Sequence, residues 1–396
     1  MSDRPTAAPL SRRALLRGGL TLGCSAAAFP LATRVTFASA PGDNRLVVIV
    51  LRGALDGLAA VGPWGDRDYL DMRPTTATHP DRGGIDLDGR FALHERLAPL
   101  APLWGRGELA FAHAVSTPYR DKRSHFDGQD ALENGTDDTG GRLTSGRDGW
   151  LNRALAHLPG ARAQTAIAVG RERMLLLDGR NPALSWSPDG ELGLSAHGRD
   201  LLAMVSAPDP LFAAAAAEAA VLDEATGAPV RADAAGLAAL SAEMLRGEAR
   251  IAAFSLGGFD THRNQANAIR RPLTQLAEAV DALHDGLGPE IWGRTAVLAV
   301  TEFGRTAREN GSAGTDHGTG GAMLFAGGAL AGAKVHGDFP GLSPRALYQD
   351  RDLMPTDDLR RHAAWALRVL FGMDRGALEA EVFPGTAMGG DPKVFA

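Results

Sequence analysis

The chain is nearly free of cysteine, carries no complete nucleotide-binding fingerprint, and has no long apolar run beyond its first forty residues. One of its 396 residues is cysteine, Cys24. Disulfide staples and a cysteine-built zinc site are therefore excluded from residue 25 onward. A chain of this length buries enough surface to fold without such staples. No dinucleotide glycine motif follows a strand-like run. In Gly327 to Lys334, Ala333 stands where a phosphate loop needs lysine. No His-Glu-x-x-His zinc helix occurs. Basic residues are also scarce, 41 Lys and Arg against 47 Asp and Glu, for a net charge of −6. An acidic chain lacks the positive footprint of a nucleic-acid binder, so no nucleic-acid partner is expected. Nothing after residue 40 approaches the roughly 20 apolar residues of a bilayer span, so no stable transmembrane segment is expected.

The first forty residues differ from the rest. Ser11-Arg12-Arg13-Ala14-Leu15-Leu16-Arg17 precedes a modest apolar run from Gly18 to Ala32, and Ala38-Ser39-Ala40 supplies small residues for cleavage. Paired arginines before a weak apolar run read as a twin-arginine export signal over residues 1–40. This predicts engagement of the twin-arginine export machinery and a periplasmic or secreted location. Cys24 lies inside the signal, and Thr21-Leu22-Gly23-Cys24 departs from a lipoprotein cleavage box. Residues 1–40 hold five arginines and one aspartate, so their removal leaves −10.

Glycine-bounded apolar runs then outline a sheet. Arg45–Leu51 (RLVVIVL), Gly107–Val115, Ala249–Phe254, Ala296–Thr301 and Ala322–Ala326 read as buried strands of a parallel sheet. In open α/β sheets ligands bind beyond the carboxyl ends of strands, and polar residues collect there. Asp56 follows the first run between Gly53 and Gly57. Arg120, Arg123, Ser124, His125 and Asp127 follow the second, and Asp260 and His262 the third. Glu302, Arg305, Asn310, Asp316 and His317 fill the loop between the last two. Each has a plain structural explanation when taken singly. Asp56 suits a turn, Ser124 and Asp127 have capping-box spacing for a helix Phe126–Glu133, and Asp260 suits the N-cap of a helix Asn264–Leu287. Taken together, carboxylates and imidazoles repeated after successive strands point to a site for a divalent metal, Zn²⁺, Mn²⁺, Mg²⁺ or Ca²⁺. Ser124 beside His125 reads either as a nucleophile or as that helix cap. Arg123 reads either as a holder of an anionic group or as surface charge.

Residues 136–250 carry two alanine-rich helical stretches, Leu211–Leu222 and Ala234–Leu245, and two short strand-like runs, Thr165–Val169 and Met174–Leu177. They are expected to form a mostly helical insertion or cap on one α/β domain spanning residues 41–396. Gly193–His197 approaches a nucleophile elbow but lacks its last glycine.

Gly53-Ala54-Leu55-Asp56-Gly57, Arg123-Ser124-His125-Phe126-Asp127, Phe259-Asp260-Thr261-His262, Thr301-Glu302-Phe303-Gly304-Arg305 and Gly314-Thr315-Asp316-His317-Gly318 occur in that order. With the twin-arginine start they resemble domain of unknown function 1501, among the alkaline-phosphatase-like and sulfatase-like folds. The resemblance covers about residues 45–372. It implies a central, largely parallel sheet with helices on both faces, and metal-dependent cleavage of phosphate or sulfate esters. Asp56, Asp260, His262, Glu302 and His317 are then implied as metal residues, with Asp316 beside them. Ser124 is implied as nucleophile or positioning group, and Arg305 or Arg123 as holder of a small anionic ester substrate. Phe303 stands where such enzymes carry a second histidine, and Glu302 where they carry aspartate. The two functions that follow are an exported metal-dependent hydrolase and, alternatively, a non-catalytic envelope binding or assembly protein on a degenerate hydrolase fold.

Overall fold

The run RLVVIVL forms strand β1 (Arg45–Leu51), buried along its whole length. Its branched residues are stiff at χ1 and pack well on a pleated surface. The computed structural model describes residues 43–120, 122–136, 148–187 and 233–396, all within one compact unit, 38–396. The remaining strands of the main sheet are β2 (Leu109–Ser116), β3 (Ala166–Val169), β4 (Leu184–Trp186), β5 (Ile251–Leu256), β6 (Thr295–Val300), β7 (Gly321–Ala326), β8 (Val335–His336) and β9 (Asp357–Asp358). The order is β8-β2-β7-β6-β1-β5-β3-β4, with β9 also beside β2. β1 pairs in parallel with β5 and β6, and β3 joins β5 and β4 in parallel.

The sheet is thus mostly parallel, as expected, with one exception. β7, read from sequence as another parallel strand, runs antiparallel to both β6 and β2. The reason lies in its connection. No helix intervenes between β6 and β7, whereas a parallel return usually runs through a crossover helix.

Alternate side chains of β1 enter opposite cores. Val47, Ile49 and Leu51 face one, and Leu46, Val48 and Val50 the other. The first is covered by helices α4 (Ala234–Arg246) and α5 (Arg270–Trp292), whose Leu273, Leu276, Val280, Leu283 and Leu287 recur at helical spacing. The second is covered by α3 (Trp150–Leu155) and α6 (Leu359–Phe371). Helices therefore lie on both faces.

The expected cap at 136–250 is revised by its described parts. β3 and β4 continue the main sheet past β5, and α4 packs on α5, so these parts belong to the central layers. The run AIAV is fully buried and gains its hydrogen bonds only as a sheet strand. Met174–Leu177 is not a strand but contains a 3₁₀ turn at Leu175–Leu177. Leu211–Leu222, Gly193–His197 and the export segment 1–40 lie outside the described residues. Among the described residues, no helix is long and apolar enough to cross a membrane.

Candidate metal centre

β1, β2, β5 and β6 run the same way. Their carboxyl ends therefore open on one edge, where β7 begins. Two glycines let the loops meet there. Gly53 follows β1 with φ 107°, and a Cβ on it would lie 2.7 Å from the Asp260 amide nitrogen. A Cβ on Gly304 would collide with the Gly320 carbonyl. Helix α2 (His125–Asn134) starts at this edge. Ser124 is its N-cap, the Oγ accepting from the Asp127 amide at 3.5 Å, and it leaves His125 in the first turn.

Three imidazoles converge on one carboxylate oxygen. From Asp260 Oδ1, His262 Nε2 lies at 2.9 Å, His317 Nε2 at 3.1 Å and His125 Nε2 at 3.4 Å. The Nδ1 of each ring is held from behind: His125 by Glu302 Oε1 at 2.8 Å, His262 by Asp316 Oδ1 at 3.0 Å, and His317 by the Arg123 carbonyl at 2.9 Å. Those oxygens only accept, so each Nδ1 carries a hydrogen; Asp260 Oδ1 also only accepts, so a proton or a cation is needed between it and the Nε2 atoms that meet it. His262 Nε2 and His317 Nε2 then face each other at 2.9 Å. Two lone pairs at that distance repel unless a proton or a cation lies between them. His125 Nε2 is buried and makes no hydrogen bond. Ligand atoms of His125, Asp260 and His317 all lie within 4.8 Å of one another. These donors fit a divalent cation, and the outer acceptors are the kind that orient metal-bound histidines.

The electrostatics agree. Burial pushes the Asp260 carboxyl up, but the Arg305 hydrogen bond and charge, with His317 and His262, hold it near about 2. Glu302 is likewise raised by burial, yet hydrogen bonds from His125, Gly53 and Gln129 keep it below the ordinary glutamate range. Its hydrogen bond raises His125, whereas burial lowers His317. Phe303 stacks on His125 at 5.3 Å between ring centroids and lies 5.1 Å from His317.

Not every residue anticipated from sequence joins this cluster. Asp56 is buried in a two-point ion pair with Arg73, at 2.5 and 3.1 Å, and accepts from Gln265 at 2.5 Å. It also caps the short helix α1 (Gly57–Ala60), so its oxygens are committed. Glu302 is fully buried behind His125 and orients that ring. Asp316 does the same for His262. Ser124 serves as the helix cap. Arg305 is fully buried, and its donors go to the carbonyls of Ala54, Gly53, Phe259 and Thr315 and to Asp260. That leaves it no free face for an anion. Arg123 meets the centre through its carbonyl, and its guanidinium lies 3.7 Å from Asp352. Asp260, His262 and His317 are brought together. His125, named in the sequence only as a neighbour of Ser124, joins them. The signal for it was the rule used for the others, a donor residue just past a strand end.

Beside the cluster opens a pocket of about 520 Å³, lined by Arg52, Gly53, His125, Phe126, Gln129, Glu172, Arg173, Gly257, Gly258 and Asp260.

Fold and site together define a class: a mostly parallel α/β sheet with a histidine–aspartate centre at its carboxyl edge. The chain belongs to the family described as Protein of unknown function (DUF1501), matched over residues 43–362. No curated protein matches it. Among solved structures it is similar to a phosphonoacetate hydrolase from Sinorhizobium meliloti 1021, crystallised in complex with phosphonoformate. The identity is 15% over 67% of this chain, with a TM-score of 0.29, and the match spans 57% of that protein's chain.

Proposed function

We propose that this protein is a metal-dependent hydrolase of small phosphate or sulfate esters, exported through the twin-arginine pathway to the periplasm or beyond. One observation carries the catalytic half of this reading. Three imidazoles, each pinned at Nδ1 by an acceptor, aim Nε2 at a single aspartate oxygen beside an open pocket. A donor set rich in imidazole suits Zn²⁺ or a similar first-row ion better than Mg²⁺ or Ca²⁺, which prefer all-oxygen sites. Phe303 packs against His125 and His317 and supplies no donor for a second ion, which favours one ion.

When bound, that ion supplies Lewis acidity toward an ester oxygen. The chain's own residues do the rest. Glu302, Asp316 and the Arg123 carbonyl fix the rings, Phe303 shields one side from water, and Gly257 and Gly258 keep the pocket side open. The engagement of Ser124 as a cap is the observation favouring the non-catalytic alternative, in which metal binding persists without turnover.

The test is metal content of the full chain, wild type and Asp260→Ala/His317→Ala, followed by panels of phosphate and sulfate esters. Near-stoichiometric metal lost in the variant, with turnover that follows metal, is the expected result. Metal without turnover selects the alternative, and no metal in either protein refutes the hydrolase reading and leaves the binding or assembly protein. Export rests on Arg12 and Arg13, and Arg12→Lys/Arg13→Lys should leave the chain in the cytoplasm. Unchanged export of that variant would sink this part.

A further inference from the structure

Among the described residues only two large hydrophobic side chains are exposed, Leu70 and Phe126, and Phe126 is 85% exposed. Phe126 is the more telling. It follows His125 directly in the first turn of α2, and it lines the pocket that His125 and Asp260 also line. A phenylalanine left in water forgoes the gain of burial that the rest of this core takes. Elsewhere the aromatic rings near the centre are packed away, with Phe303 on His125 and Tyr119 on Phe303.

Part of the lining is nearly bare. Gly257 has no atom within 4 Å of where its Cβ would stand, and Gly258 has only the Pro272 side chain at 3.7 Å and beyond. The pocket's roughly 520 Å³ is the size that takes a drug-sized organic molecule and far exceeds what a bare tetrahedral anion fills. Polar groups line it too: Asp260 and His125 at the metal end, Gln129, which accepts from Arg52 at 2.7 Å, and the side chains of Glu172 and Arg173. An apolar face beside a few convergent polar groups is how small-molecule sites fix orientation.

We propose that the substrate is an organic ester whose flat apolar group, an aryl ring or its like, lies against Phe126 while its anionic head meets the histidine–aspartate centre. This rests on the hydrolase reading above for the anionic head. The apolar half is new. Phe126 is a binding residue here and takes no part in bond cleavage.

Binding of two non-hydrolysable probes to the zinc-loaded full chain separates the halves. Phenylphosphonate and methylphosphonate are titrated calorimetrically against wild type, Phe126→Ala and Phe126→Tyr. Wild type should prefer phenylphosphonate by about tenfold. Phe126→Ala should lose that preference through weaker phenylphosphonate binding alone, and Phe126→Tyr should keep it. Because Phe126 is exposed, the alanine variant should melt with wild type, and circular dichroism checks this. Equal affinity of wild type for the two probes overturns the aryl site and leaves the anion site standing. So does a preference that survives Phe126→Ala. Failure of both probes to bind zinc-loaded wild type overturns the hydrolase reading and this inference with it.

Discussion

Replacing Glu302 by glutamine separates a residue that holds the metal from one that orients a ligand. Glu302 Oε1 accepts from His125 Nδ1 at 2.8 Å, the Gly53 amide at 2.9 Å and Gln129 Nε2 at 3.3 Å, and Oε2 lies 2.9 Å from Thr301 Oγ1. In Glu302→Gln the amide oxygen keeps the first three. The new NH₂ donates to Thr301 Oγ1, whose own hydrogen then serves the Leu51 carbonyl at 2.7 Å. One hydrogen of the new amide is left without an acceptor in this buried position, so the fold should lose about 1–3 kcal/mol, the cost of an unpaired buried donor. His125 loses the anion that makes its Nε2 a stronger donor to metal. Removing such an outer partner typically weakens metal binding about 10–100-fold, or about 1.4–2.7 kcal/mol. The assay is chelator competition with Zn²⁺ on metal-free protein, beside a urea melt. Unchanged affinity would refute the orienting role. A loss beyond about 1,000-fold with the fold intact would restore Glu302 as a direct ligand, the role its position after β6 first suggested.

Two further outcomes follow from buried groups away from the metal. Arg73→Met strands Asp56, which is 1% exposed, and should cost about 3–5 kcal/mol in denaturant melts. Adding Asp56→Asn should recover part of that loss, and a single-variant cost near zero would show that the pair is not the anchor its geometry implies. His113 is fully buried, donates through Nε2 to the Val61 carbonyl and accepts from the Ala114 amide at Nδ1. Protonating Nδ1 would set two hydrogens face to face, and burial lowers its pKa to about 4. The folded state therefore resists the proton that the unfolded chain takes up near pH 6.5, so stability is full above that point and falls as the pH drops toward 4. The contribution amounts to about 2 kcal/mol between pH 7 and pH 5. His113→Gln should show a pH slope shallower than wild type by that amount, and parallel slopes would remove His113 as the cause.

The sheet was legible in the sequence because its strands are short, mostly apolar and set off by glycine-containing turns. β1, β2, β5 and β6 all sit within two residues of where periodicity and composition set them. The direction of β7 was not legible. An apolar run carries no sign of orientation, and only the absence of a helix before it decides the matter. The strand-end rule located the site region but could not rank the carboxylates. Asp56 and Asp260 both follow a strand. What separates them is Arg73, seventeen residues past Asp56 in a loop-rich stretch, folding back to occupy it. Glu302 and His125 are 177 residues apart, so their pairing, which exchanges ligand for orienter, lies in tertiary contact and not in local pattern. Ser124 shows the reverse. Its capping spacing is local, and the local reading is the one the structure contains.

Arg305 explains why these donors stand ready before any ion arrives. A guanidinium beside a cation site looks unfavourable, since like charges repel. Its surroundings resolve this. Four backbone carbonyls, from the loops after β1 and β5 and from the loop before β7, take most of its donors. It also reaches His262 Nε2 at 3.4 Å and Asp260 Oδ1 at 2.5 Å, the latter being the atom on which the histidines converge. The arginine thus ties three strand-end loops to one point. It also holds Asp260 ionised in a half-buried position where burial alone would favour the neutral acid. A site assembled this way does not have to order loops when metal binds, so little of the coordination energy is offset by folding. The same saturation leaves Arg305 unable to turn toward a substrate anion. Under the proposed hydrolase reading, recognition of the anionic head would fall to the ion and to the pocket wall, and Arg305 would act only through the geometry it maintains.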